Sequence, residues 1–126
     1  MTLTPRNVWI VSGVPGSPTE EIAGALFARG MAKHLITVFL EQGDSYAESL
    51  ASFIGIIEHG NNVIVCGPFL NRIDIDPFID IAKALEYNVI EIVTKQTEDP
   101  SCYSPADIKK MQLQLNDRLY DWALNT

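Results

Sequence analysis

Asn7 to Glu21, NVWIVSGVPGSPTEE, is the stretch whose reading decides the fold. Val8-Trp9-Ile10-Val11-Ser12 is a short apolar run in which polar and apolar positions do not alternate. That is the pattern of a strand buried on both faces, as in a parallel sheet covered by helices. Gly13-Val14-Pro15-Gly16 stops the strand with a tight turn. A helix is expected next, with Ser17 as its N-cap and Pro18 at its first position, where a missing N–H costs nothing. Glu20 falls three residues after Ser17 and completes a capping box. Ile22, Ala23, Leu26 and Phe27 form the apolar face of this helix, and Gly30 is its stop.

The same alternation continues outward from that unit. Leu35 to Leu40 reads as a second strand, broken by Gln42-Gly43-Asp44. A helix is expected from about Ser45 to Glu58, with Ser45 and Glu48 again at capping-box spacing. Tyr46, Leu50, Phe53, Ile54 and Ile57 share one of its faces, and Gly60 is its C-cap glycine. Asn62 to Cys66 is the third strand and 67–72 a loop. Asp76-Pro77 is expected to open a helix to about Glu86, with Phe78, Ile81, Ala82 and Leu85 inward. Asn88 to Thr94 is the fourth strand. A polar stretch, 96–103, precedes a last helix that Ser104-Pro105 opens and that runs to about Ala123. Its stripe is Ile108, Met111, Leu115, Leu119 and Trp122. Strands separated by helices run parallel, so the expected class is α/β, an open three-layer domain.

Composition bounds the function classes. The 126 residues are enough for one core, so residues 1–126 are expected to form a single domain. Nine Lys and Arg against sixteen Asp and Glu give a net charge of −7. That balance disfavours nucleic acid and anionic membrane as partners. The two cysteines, Cys66 and Cys102, form no CxxC pair, and a reduced, cytoplasmic setting is the expectation. Met1 to Arg6 is too short and polar for a signal peptide. No apolar run approaches the roughly 18 residues that a membrane span needs. His34 and His59 stand alone, without a second ligand at metal spacing, so no metal site is expected. There is no G-x-S-x-G elbow and no H-E-x-x-H.

A strand, a Gly-rich turn and a helix start are the layout of a phosphate-binding loop. The G-x-x-x-x-G-K-[ST] pattern, aligned at Gly13, meets Pro18, Thr19 and Glu20 where Gly, Lys and Ser/Thr belong. The turn is kept and the residues of the chemistry are not. Phosphoryl transfer rests on positioning and on cations where charge builds up. Glu20 and Glu21 instead put two carboxylates at the positive end of the helix, where they compete with a phosphate. Pro18 removes one further amide from an anion nest.

Two segments together resemble the P-loop kinases related to polynucleotide kinase. One is Val8–Gly16. The other runs from Asn61 through the Val63–Cys66 strand, Gly67-Pro68-Phe69-Leu70-Asn71-Arg72 and Asp76-Pro77-Phe78 to Ala82-Lys83 and Tyr87-Asn88-Val89. This resemblance implies a P-loop NTPase-like domain, with a mainly parallel sheet of about four strands ordered 2-3-1-4. It also implies ATP as phosphoryl donor and Mg²⁺ as cofactor. The departures stand at its key places. The family's loop Lys meets Thr19, its metal-binding Ser/Thr meets Glu20, and its Asp after the third strand meets Cys66. Glu41 or Asp44 is an approximate counterpart of the carboxylate that activates the acceptor hydroxyl. The lid arginines have no match between Lys95 and Ser104.

The expectation is therefore a kinase-fold protein with a degenerate phosphate loop and no kinase chemistry, needing no cofactor. It would bind a protein partner or a small anionic ligand. The phosphate-loop residues Gly13, Val14, Pro15, Gly16, Ser17 and Thr19 are the candidate ligand site, with Arg72 and Lys95 as candidate clamps. The alternative is an atypical ATP-dependent nucleotide or polynucleotide 5′-hydroxyl kinase using Mg²⁺, with Asp44 as catalytic residue. A homodimer through Tyr46, Phe69 or Trp122 is a further expectation.

Overall fold

The computed structural model describes residues 6–39, 43–97 and 103–124; the side chains of 43, 44 and 121–124 lie outside this description. Strands and helices alternate: β1 (Asn7–Ser12), α1 (Thr19–Ala28), β2 (His34–Thr37), α2 (Gly43–Glu58), β3 (Val63–Gly67), α3 (Arg72–Ala84), β4 (Asn88–Val93) and α4 (Pro105–Leu124). The strands form one parallel sheet in the order β2-β3-β1-β4. This is the α/β class and the strand order expected above.

The non-alternating strands are explained by what covers them. Val8 and Ile10 of β1 face a cluster with Phe53 and Ile57 of α2 and Ile75, Phe78 and Ala82 of α3. Trp9 and Val11 face the other way, onto Ile22, Ala23 and Leu26 of α1. Both faces of the central strands are therefore apolar. Phe78 centres the larger cluster, edge-on to Phe53 at 4.9 Å, Phe69 at 5.6 Å and Tyr46 at 5.8 Å. α4 packs Ile108 and Leu115 on Val14 and Leu70, which belong to the loops leaving β1 and β3.

The ends of the helices differ most from expectation. α2 starts at Gly43, so Ser45 lies inside it and cannot be its N-cap. α3 starts at Arg72, four residues before Asp76, and Pro77 is its sixth residue. A proline there removes one hydrogen bond, to the carbonyl of Ile73. Ile73 is 80% exposed, so the missing bond falls on the solvent side of the first turn of the helix. β2 ends at Thr37 rather than Leu40, although Val38 N still donates to Cys66 O at 2.8 Å. Gly30 and Gly60 follow α1 and α2 at φ +75° and +79°, the left-handed turn that the sequence assigned to them. Glu86 makes the same turn after α3 at φ +64° without being glycine.

Phe69 is also in the left-handed region, at φ +42°, and is 2% exposed. It is a core residue held against Phe78, not a surface contact. Tyr46 donates from its hydroxyl to Asp74 O at 2.7 Å and is half-buried beside the same ring. Phe69 therefore offers no exposed ring for the homodimer expected above, and Tyr46 keeps only part of its surface open. Trp122 lies outside the described side chains. Among the described residues no helix is long and apolar enough to cross a membrane.

Candidate functional site

A cleft of about 730 Å³ lies at the carboxyl ends of the strands. This is the side on which open α/β sheets bind ligands. One wall is the Gly13–Ser17 turn with the first turn of α1, Pro18 to Glu21. The opposite wall is Thr37, the last residue of β2, with Val38 and Phe39. Cys66 and Gly67, the last residues of β3, and Pro68 close the floor, and Thr97 and Tyr103 stand at the rim.

The turn after β1 is tight because its own backbone closes it. Ser17 N donates to Val14 O at 3.0 Å, Thr19 N to Ser17 O at 2.9 Å and Ile22 N to Pro18 O at 3.1 Å. Gly16 takes φ +91°, a conformation that favours glycine. Its carbonyl accepts from both Thr97 N at 3.0 Å and Thr97 Oγ1 at 3.3 Å, which ties the turn to the segment after β4. Gly13 is required for a different reason. A Cβ there would collide with Thr94 Oγ1 and come within 2.9 Å of Ser17 Cβ. Thr94 is held in place by two bonds to Ser12 O, from its amide at 2.8 Å and its hydroxyl at 3.1 Å.

Ser17 is not the N-cap. α1 begins at Thr19, Pro18 occupies the cap position, and no side chain bonds the first-turn amides. The Ser17 carbonyl does what its hydroxyl was expected to do, because the turn delivers Thr19 N to it. The hydroxyl itself is buried without a partner beside Gly13. The proposed capping box with Glu20 is therefore absent, and Glu20 is left exposed at the cleft wall.

This geometry leaves few amides for an anion. Of Gly13 to Thr19, Pro15 and Pro18 have no N–H, and Ser17 and Thr19 have donated theirs. Gly13, Val14 and Gly16 remain. Nor is there cationic help. All nine Lys and Arg of the chain lie among the described residues, and none lines the cleft. Arg72 pairs instead with Asp76 at 3.4 Å on the exposed first turns of α3. Lys95 is exposed, two residues short of Thr97, and outside the lining. Asp44 is the second residue of α2, and its side chain lies outside the description.

Cys66 is buried at the cleft floor, its Sγ 3.4 Å from Thr37 Oγ1. Burial pushes its thiol pKa up, the Thr37 contact works in the opposite direction, and the nearby charge of Glu20 adds to the rise. The thiol is thus held protonated where the resemblance implied an ionised Asp. Among the described residues no group of three His, Cys, Asp or Glu could hold a metal ion.

A polar network that the sequence does not announce reaches the base of the turn through Ser12. Arg118 of α4 donates from both terminal nitrogens to Glu91 of β4, at 3.2 and 2.7 Å. Ser12 Oγ donates to the same carboxylate at 2.9 Å. Two signals were available: one Glu within the apolar run NVIEIV, and one Arg between Leu115 and Leu119 on the α4 stripe. The cleft residues Thr37, Val38, Phe39, Gly67, Pro68, Thr97 and Tyr103 carried no signal of their own, since chain crossovers bring them together.

A parallel sheet ordered 2-3-1-4, a glycine turn from its central strand into a helix, and a cleft at the strand ends together define a P-loop kinase-like α/β fold. Two solved structures share it. A chain of the Pnkp1/Rnl/Hen1 RNA repair complex superposes with a TM-score of 0.61 at 17% identity, over 95% of this chain and 47% of that one. The present chain thus spans about half the length of that neighbour. An APS kinase of Mycobacterium tuberculosis superposes with a TM-score of 0.51 at 10% identity, over 90% of this chain and 97% of that one. No protein-family model matches the sequence, and no curated protein matches it.

Proposed function

We propose that this chain is a kinase-fold protein without phosphoryl-transfer chemistry, acting as a binding module through the cleft at its strand ends. One observation carries the reading. None of the nine Lys and Arg lines the cleft, while Glu20 and Glu21 do. A triphosphate brings several negative charges into a water-poor site, and transfer adds charge in the transition state that cations must meet. Here Thr19 stands where the resemblance implies a Lys, Glu20 where it implies a metal-binding hydroxyl, and the protonated Cys66 where it implies an Asp. The phosphate loop reads as degenerate, its turn kept for its packing against Thr94 and α4. The lining also argues against the small anionic ligand of the sequence reading and leaves a protein partner or a non-anionic ligand.

Calorimetric titration with ATP and Mg²⁺, with a labelled-phosphate assay over nucleoside and 5′-hydroxyl acceptors, tests this. Neither heat of binding in the micromolar range nor transfer is expected. Micromolar binding accompanied by turnover, lost in Asp44→Ala or Lys95→Ala, would establish the atypical kinase instead.

A further inference from the structure

We infer that the cleft takes an organic cation, a guanidinium or primary ammonium group on an aliphatic stem; this rests on the binding-module reading and names its ligand class. Glu20 and Glu21 have no ion-pair partner among the described residues, where the ion pairs are Arg72–Asp76 and Arg118–Glu91. The segments outside the description contain no Lys, Arg or His that could reach them. The charge of Glu20 is felt at the Cys66 thiol, so it acts on the cleft floor as well as on the helix end.

Shape and lining choose an organic cation over a metal. The cleft, about 730 Å³, is in the range of small-molecule sites. A metal needs several convergent ligands, and the described residues offer no group of three. The partly exposed Pro15 and Pro68 give the cleft apolar wall that suits the methylene stem of a Lys- or Arg-like group, whose charged head stays at the wetter carboxylates. Phe39 and Tyr103 add aromatic rings, to which such heads are attracted. An anion meets the opposite arrangement, two carboxylates and a turn with two of its amides already donated.

The test is two-dimensional amide NMR of the whole chain, titrated separately with agmatine, a capped neutral-ended peptide containing one Arg, ATP, and Mg²⁺ alone. The expected result is saturable shifts at Gly13, Gly16, Thr19, Gly67 and Thr97 with agmatine or the peptide, weakened as KCl rises. Agmatine alone points to a free amine, and a response to the peptide points to a side chain of a protein partner. Glu20→Gln with Glu21→Gln should weaken binding about tenfold, the size expected for two partly exposed ion pairs. Glu48→Gln with Glu58→Gln on α2, which removes the same charge away from the cleft, should not. Thr19→Lys, a second variant outside the carboxylates, should abolish binding by placing a cation in the site. Equal weakening in both double variants, shifts from Mg²⁺ alone, shifts from ATP without turnover, or no response to either amine would each overturn the inference. The binding-module reading itself fails only on ATP turnover.

Discussion

Glu91 and Arg118 link β4 to α4 through two charge-assisted hydrogen bonds, with the Arg118 side chain 4% and the Glu91 side chain 22% exposed. Removing one member leaves the other charge buried and alone. Glu91→Gln is expected to cost about 3 kcal/mol of unfolding free energy in urea. Replacing both, as Glu91→Leu with Arg118→Met, should restore most of the loss, since an apolar pair escapes the desolvation penalty. Cys66 gives a pH-dependent effect of known sign. Its pKa is raised in the folded state, first by burial and then by Glu20, against the opposing Thr37 contact. The folded chain therefore holds this proton more tightly than the unfolded one. The stability from that difference is complete below about pH 8.5, where an ordinary thiol titrates, and is lost as pH rises through the higher folded value. Unfolding free energy measured between pH 7 and 10 should fall, with a shallower slope in Cys66→Ala. Tyr46 and Tyr87, raised mainly by burial, act in the same direction further up.

Two helix starts that look alike in sequence separate at the level of the element. Ser104 Oγ accepts from Asp107 N at 3.1 Å, a working N-cap for α4. Ser17 Oγ accepts nothing. Ser104→Ala should cost about 1 kcal/mol, whereas Ser17→Ala should be neutral or stabilising, because it deletes a buried hydroxyl with no bond to lose. Thermal unfolding of the two variants reads the difference. Local chemistry cannot tell these serines apart, since both precede a proline and stand three residues before an acid. The distinction comes from Thr94 and Thr97, about eighty positions on, which press and tie the turn. Pro77 teaches the same lesson. Asp76-Pro77 is a good helix start in isolation, yet Phe78 and Ile75 are both needed in the core, and the helix extends back to Arg72 to supply them. The strands, their parallel order and the turn at Gly13–Gly16 were legible, because burial on both faces imposes an unbroken apolar pattern and the order came with the resemblance. The Glu91–Arg118 pair was not, because a charge in a strand declares itself only once its partner is known.

For the whole molecule, sixteen acids against nine cations leave the chain repelling itself at neutral pH. Only two ion pairs are found among the described residues, and the buried one is poorly screened by salt. Raising KCl from 20 to 200 mM should therefore raise the melting temperature by a few degrees, and a fall would mean that favourable surface pairs outweigh the repulsion. The tether from Thr97 to Gly16 has a consequence in time rather than in energy. Thr97 lies in an exposed stretch, where a backbone N–H ordinarily exchanges its hydrogen with solvent within seconds, yet this one is donated to a carbonyl 81 positions earlier in the chain. Its exchange waits on separation of the turn from the rim and owes nothing to unwinding of a helix. One resonance thus keeps a clock on the opening of the cleft, and an occupant that spans turn and rim would be seen as that clock slowing.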